Sequence, residues 1–491
     1  MAVLTFLVYA FIFMIGLGVL VVAIVFVMDV TQTQHAIRHN FPVIGRCRAL
    51  FERLGEFFRQ YFFALDRDEL PFNRAERSWV YRASKAGGNT IAFGSTRDLR
   101  RLGTVIYANS AWPLLEQDVG EPEPVTIGLE IARPYTTKSI INISAMSYGA
   151  ISRPAVLALS RGAKRAGIWL NTGEGGLSPY HLEGGCDLVF QIGTANYGVR
   201  DAAGRLSDAK LAEVAAHEQV RMFELKLSQG AKPGKGGILP AVKVTKQIAS
   251  IRGIPVHQAS ISPNRRPDVD SVGGLLDVIE RIRGATGKPV GFKTVVGDFG
   301  WIDELFEEIH RRGTRSAPDF ITVDGGDGGS GAAPMPLMDS VGMVVRESLP
   351  LLVDRLVASG LRERIKVITS GKLIIPSEAA WAFCAGADFV ASARGFMFAL
   401  GCIQAMQCNR NTCPTGITTH KLRLQRGLDP ADKAVRVARY AQSIAAEIGM
   451  IAHSCGVSEP RQLERRHCRI VTETGRSVPL DEIYPPVRLT G

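Results

Sequence analysis

Between residues 140 and 391 the chain repeats one pattern nine times: a short apolar run ends in Gly, Ser, Asp or Lys and gives way to a helical stretch. The runs are 140–145, 168–172, 188–192, 222–227, 256–261, 290–295, 320–323, 367–369 and 389–391. Runs that are continuously apolar, rather than alternating, belong to strands buried on both faces, which is the habit of parallel sheets. Parallel strands joined by helices close into a (β/α)8 barrel or open into a doubly wound sheet. A doubly wound nucleotide domain would carry one glycine fingerprint after its first strand. Here polar and glycine clusters follow nearly every strand: Met146-Ser-Tyr-Gly149, Asn171-Thr-Gly-Glu-Gly-Gly176, Gln229-Gly-Ala-Lys232, Asp324 to Gly331, Ser370-Gly-Lys372 and Ser392-Ala-Arg394. Working loops at every carboxyl end are a barrel property. The α/β barrel is therefore the predicted fold, with one of the nine runs an inserted strand.

Ahead of this body, residues 2–28 form a stretch of 27 positions without Asp, Glu, Lys or Arg, longer than the ~20 residues that span a bilayer. A signal peptide would need a basic start, a shorter apolar core and a small-residue cleavage site, none of which is clear here. A single membrane anchor is predicted. His35, Arg38, His39, Arg46 and Arg48 follow the run and no basic side chain precedes it, which by the positive-inside rule leaves the bulk of the chain in the cytoplasm. A reducing compartment agrees with free thiols. The net charge of +11 fits attraction to anionic lipid. No clustered basic stripe or nucleic-acid module accompanies it, so no nucleic-acid partner is expected. Over 43–65 the apolar residues Ile44, Cys47, Leu50, Phe51, Leu54, Phe57, Phe58, Tyr61 and Phe62 recur at helical spacing, with Arg46, Arg53, Glu56 and Arg59 on other faces. Such a helix lies on a membrane or packs on its own domain. The expected organisation is an anchor at 1–28, a helical linker and barrel-capping region at 29–133, the barrel at 134–425 and a helical extension at 426–491, where Asp429-Pro430 opens a helix that Gly456 stops.

Four constellations carry chemistry. Cys402, Cys408 and Cys413 form a C-x5-C-x4-C array of twelve residues before Pro414, a spacing that lets one loop wrap an iron–sulfur cluster; core packing is the competing role for cysteine, and zinc loops favour C-x2-C pairs. Ser370-Gly371-Lys372 and Ser392-Ala393-Arg394 end the last two strands, where barrels hold phosphate on backbone N–H groups. Lys293 ends an apolar strand, a placement that is costly unless the cation is paired, with an acid in the barrel or with the electron-rich edge of a reduced flavin; Gln191 offers amide hydrogen bonds to the same ring. The loop from Gln229 to Pro240 packs four glycines with Lys232 and Lys235, which suits capture of an anionic substrate and exclusion of water. Arg252 is a further carboxylate-binding candidate.

Taken in order, these segments resemble the flavin-containing synthase domain of glutamate synthases from about Ile140 to Arg423. The family's G-A-M-S-x-G-A-L-S appears as Ser144-Ala-Met-Ser-Tyr-Gly-Ala-Ile-Ser152, its N-S-G-E-G-G as Asn171-Thr-Gly-Glu-Gly-Gly176, and its I-K-Q-x-A-S-G-R-F-G as Val189-Phe-Gln-Ile-Gly-Thr-Ala-Asn-Tyr-Gly198. Its A-Q-G-A-K-P-G, D-G-G-T-G-A-S-P and C-x5-C-x4-C-P stand at 228–234, 327–334 and 402–414. The resemblance implies FMN held by Ala145, Met146, Ser147, Gln191, Lys293, Gly328 and Gly329, with Ser370, Gly371, Lys372, Ser392, Ala393 and Arg394 at its phosphate. It implies a [3Fe–4S] cluster on Cys402, Cys408 and Cys413, 2-oxoglutarate on Gln229, Lys232 and Arg252, and catalytic roles for Lys232, Gln229 and Glu174. The implied reaction is hydride delivery from reduced FMN to 2-iminoglutarate, formed from 2-oxoglutarate and ammonia, to give glutamate. The amidotransferase domain that opens full-length glutamate synthases has no counterpart here; ammonia is expected free or from a separate amidotransferase, and electrons from a ferredoxin or a reductase subunit. Lys235 and Ile238 replace the family's acid and amide in the substrate loop. A different 2-oxo acid, an amine or a hydroxy acid is the alternative substrate that this change suggests.

Overall fold

Eight of the nine apolar runs become the staves of one closed parallel barrel in the computed structural model, which describes residues 1–487. They are β1 (Ile141–Ile143), β2 (Leu170–Asn171), β3 (Leu188–Ile192), β4 (Val220–Lys226), β5 (Val290–Thr294), β6 (Phe320–Asp324), β7 (Lys366–Ser370) and β8 (Phe389–Ser392). Closure runs through the pairing of β8 on β1, Val390 beside Ile141 and Ser392 beside Ile143. The ninth run contributes only Ser260–Ile261, antiparallel to Ile238–Leu239, in an insert between β4 and β5. His257 and Gln258 interrupt its apolarity and are exposed, so it has no second face to bury.

Five of the eight staves, β2, β4, β5, β6 and β8, start apolar and finish polar, and this gradient sorts the barrel into a structural and a chemical end. At the starting end Trp169, Phe320 and Phe389 are buried together with Ile127 and Tyr135. The last two come from an antiparallel hairpin of Val125–Ile127 and Tyr135–Thr137. Tyr135 packs edge-on against Trp169, which packs edge-on against Phe389. Burial of each such ring stabilises the fold by about 1.5–3 kcal/mol. With this end plugged, loops at the other end are left for ligands.

The chain divides into two units, Met1–Arg77 and Ser78 onward. The first holds α1 (Ala2–Thr31), α2 (Ala36–Asn40) and α3 (Gly45–Phe58). α1 is long and apolar enough to cross a membrane, and its most apolar stretch is exposed. Of the residues expected on the helix faces over 43–65, the side chains of Arg53, Glu56 and Phe57 lie outside the described ones. In the second unit α4 (Arg153–Ala166) follows β1 and packs along α5 (Pro430–Ser454). Asp429 caps α5 by accepting from the Ala431 N–H at 3.0 Å, Pro430 occupies its first turn, and Gly456, at φ 84°, follows its end.

Candidate active site

The polar ends of the staves meet in a buried hydrogen-bond layer, and its hub is Glu224 on β4. Its Oε1 accepts from Asn171 Nδ2 at 2.8 Å and Gln191 Nε2 at 2.7 Å, and its Oε2 accepts from Thr322 Oγ1 at 2.6 Å. One carboxylate thus ties β2, β3, β4 and β6 together and fixes which end of the Gln191 amide donates. A second buried acid, Asp324, accepts from Ser370 Oγ at 2.5 Å and from the Gly230 N–H at 2.9 Å. It also faces Lys293 Nζ at 3.3 Å. The lysine that sequence marks as costly therefore has an acid partner, and a cavity in the barrel is lined by Ser144, Asn171, Glu224, Lys293 and Thr322.

Beyond this layer lies a second group, made of one acid and three cations. Lys226, the last residue of β4, donates to Glu174 Oε1 and to Gln229 Oε1, each at 2.9 Å. Gln229 is pinned at its other end, where Nε2 donates to the Gly329 carbonyl at 3.2 Å. Burial alone would raise the Glu174 carboxyl pKa, but Lys226, Lys232 and Arg252 outweigh it and hold it below the ordinary range. Lys232 is lowered to about 8, first by burial and then by repulsion from Lys226, with Glu174 opposing. Arg252, which as a lone arginine would be expected at the surface, is 4% exposed. It donates through Nη1 to Ser260 Oγ at 3.2 Å and through Nη2 to Ser147 Oγ and the Tyr148 carbonyl, both at 3.4 Å. Its Nε is buried and has no hydrogen-bond partner among the described residues. Close backbone approach assembles this group: a Cβ on Gly237 would collide with the Glu174 carboxylate, and one on Gly173 would lie 2.5 Å from the Ser147 nitrogen.

At the ends of the last staves the two segments expected to hold phosphate come together around the β6 loop. Lys372, at φ 54°, directs Nζ to Asp327 Oδ2 at 3.8 Å, and Arg394 Nη2 donates to the Asp327 carbonyl at 3.3 Å. The Arg394 guanidinium lies over Gly329, where a Cβ would come within 3.0 Å of it. Gly371, at φ 143°, lets the β7 turn pass the Gly325 nitrogen. Ala145, Met146 and Ser147 follow β1, Met146 donating its N–H to the Asn171 carbonyl at 3.4 Å. Gly328 sits against Gly230, and Ser392 and Ala393 lead from β8 into the helix of Arg394–Ala399.

The cysteine loop stands beside the β1 loop. Lys243, 2% exposed, donates to the Ala150 carbonyl at 2.6 Å and the Cys408 carbonyl at 3.3 Å. Tyr81 Oη donates to the Cys402 carbonyl at 2.6 Å. The Cys408 and Cys413 thiols share Thr418 as a hydrogen-bond partner: burial pushes Cys408 up, while at Cys413 hydrogen bonds from Thr415 and Thr418 outweigh burial and bring the thiol down. Among the described residues no three His, Cys, Asp or Glu side chains converge tightly enough to hold a single metal ion.

The sequence motifs do not single out Glu224, Lys226 or Lys243, and they include Asp324 only as the first residue of a loop cluster. Glu224 and Lys226 interrupt the apolar run of β4, and Asp324 ends β6, so an ionisable group inside a buried strand was the available signal. Lys243 gave none, because its burial follows from loops distant in sequence.

Residues 101–458 match the family described as a conserved region in glutamate synthase. The chain belongs to the glutamate synthase family. Within it, the glutamate synthase large subunit-like protein YerD of Bacillus subtilis is 35% identical, over 96% of each chain. The archaeal-type glutamate synthase [NADPH] of Thermotoga maritima is 32% identical over 70% of this chain, which spans 64% of that protein's length. A glutamate synthase large subunit-like protein of Rhizobium meliloti is 29% identical over 81% of this chain and 91% of its own. The chain is a glutamate synthase-like oxidoreductase, and its synthase-family region falls on the barrel unit that holds both polar groups.

Proposed function

We propose that this protein is a membrane-anchored, FMN-dependent oxidoreductase that makes L-glutamate by reductive amination of 2-oxoglutarate. The observation that carries this reading is the buried group of Glu174 with Lys226, Lys232 and Arg252, an excess of positive charge that a dicarboxylate would balance. Arg252 retains an unused N–H for a carboxylate. Lys232, with a pKa of about 8, suits holding or giving a proton at the 2-oxo oxygen or the imine nitrogen of 2-iminoglutarate near neutral pH. Glu174, fixed by Lys226 at 2.9 Å, favours the charged form of Lys232; Gln229, held at both ends, keeps the loop closed against the substrate.

The donor set fits FMN. Lys293 and Gln191 suit the ring edge, Lys372 and Arg394 the phosphate, and the glycine contacts at Gly329 and Gly371 supply the close backbone approach such a ligand needs. When bound, FMN supplies the hydride for the imine carbon. Cys402, Cys408 and Cys413 would hold a [3Fe–4S] cluster, which offers one-electron transfer; three thiols on one loop, two of them sharing Thr418, are a suitable set. Ammonia would arrive free or from an amidotransferase, and electrons from a ferredoxin or a reductase subunit. The apolar α1 followed by basic side chains supports a single-pass anchor with the barrel in the cytoplasm.

Protein prepared without oxygen and analysed for FMN, iron and sulfide tests the cofactors. Chemical reduction in the presence of 15N-ammonium and 2-oxoglutarate tests the reaction, with labelled glutamate as the expected product. Failure to form it with any reductant overturns the reading. A different labelled amino acid from another oxo acid favours the second reading, for which Lys235, exposed, and Ile238, half-buried opposite Ile261, are the motivating residues.

A further inference from the structure

The joint between α1 and α3 is built. α1 spans 30 residues, about 45 Å at 1.5 Å per residue against a hydrocarbon core of ~30 Å, so its last turn emerges at the headgroups. That turn carries Asp29, the acid of an otherwise uncharged helix, and it is 0% exposed. Arg46 grips it bidentately, Nη2 to Oδ1 at 2.7 Å and Nε to Oδ2 at 2.9 Å, and the Val43 N–H donates to Oδ2 at 3.0 Å. Gln32 secures the turn between them, its Nε2 donating to the Asp29 and His35 carbonyls at 3.0 Å each. Gly45 brings the start of α3 so close to α2 that a Cβ there would lie 2.8 Å from the Ile37 carbonyl. The clamp thus fixes how α3 leaves α1.

α3 and the helical turn that continues it, Arg59–Phe63, then expose Leu50, Phe51, Leu54, Phe58, Tyr61 and Phe62 at helical spacing along one side. Glu52 lies on the other side and pairs with Arg48 at 2.9 Å. Large exposed rings continuous with a membrane-spanning helix, and accompanied by arginines, match the acyl–headgroup boundary of an anionic bilayer.

We propose that α3 through Phe63 lies in the interface of the same bilayer that α1 crosses, held there by the Asp29–Arg46 clamp. This inference rests on the membrane-anchor reading and adds to it a second, in-plane element. Its consequence is that the amino-terminal unit meets the bilayer through two elements, one crossing it and one lying in its plane.

The test uses the full chain in vesicles of phosphatidylglycerol and phosphatidylcholine, with and without bromine on the acyl chains. Phe51→Trp and Glu52→Trp are each compared with the parent protein, whose own tryptophans give the background. The expected result is that added emission of Phe51→Trp falls about threefold in brominated vesicles while that of Glu52→Trp does not. In Phe51→Trp protein that also carries Asp29→Ala, the quenching is lost although the chain still resists alkaline carbonate. If carbonate releases the parent chain, the anchor reading and this inference both fall. If the chain stays and the two tryptophans quench alike, or Asp29→Ala changes nothing, the in-plane helix or its clamp is overturned while the anchor stands.

Discussion

Lys232 shows how burial turns an ordinary side chain into a titrating one. With its pKa lowered to about 8, it is charged below that pH and loses charge as pH rises through it. The KM for an anionic oxo acid is expected to climb about tenfold per pH unit above about 8, and Lys232→Arg to flatten that profile; steady-state kinetics from roughly 1.5 pH units below that pKa to 1.5 above it check this. Stability moves the opposite way. Between about 8 and the unfolded value near 10.5 the unfolded chain binds more protons, so the cost of burying this lysine is relieved as pH rises. Lys226 behaves differently, because its role is to pair. Lys226→Met leaves Glu174 with one contact fewer in a buried site and is expected to destabilise by about 3–5 kcal/mol. Combining it with Glu174→Gln is expected to restore the melting temperature but not turnover, which separates charge balance from catalysis. Lys226 and Glu224 stand in the sequence as ionisable residues within β4, but nothing local marks their partners Glu174 and Gln191, because those partners are brought to them by the barrel's register.

At the level of elements, the barrel unit depends on how closely α4 and α5 approach. A Cβ on Gly162 would lie 2.5 Å from Val437 Cγ1, so the two helices meet where one has no side chain. Gly162→Leu is expected to cost about 1–3 kcal/mol through overpacking, read as a drop in the thermal midpoint, with α5 still folded because its own caps are intact. Those caps were visible in Asp429-Pro430 and Gly456, since capping is local chemistry. The inserted strand pair shows in the sequence only as a surplus ninth run. Its strand shortened to Ser260–Ile261 because a run exposed at His257 and Gln258 lacks the two-sided burial that parallel staves require.

The chain divides into an amino-terminal unit that holds the long apolar α1 and a unit that holds the barrel with its own core. Removal of residues 1–77 is expected to yield protein that purifies without detergent and retains flavin in the same ratio per chain, as judged by absorbance and FMN release; loss of flavin would show that the barrel does not stand alone. Sequence by itself determined the staves, the apolar helix, the end caps of α5 and the family motifs, because apolar periodicity, capping and loop composition are set by residues close together along the chain. Tertiary structure decided which groups the cations meet: Asp324 at Lys293, Glu174 at Lys226, the Ala150 and Cys408 carbonyls at Lys243, Asp29 at Arg46. Each of those pairings joins segments separated in sequence, and closing the barrel or turning a helix joint is what brings their charges within hydrogen-bond reach.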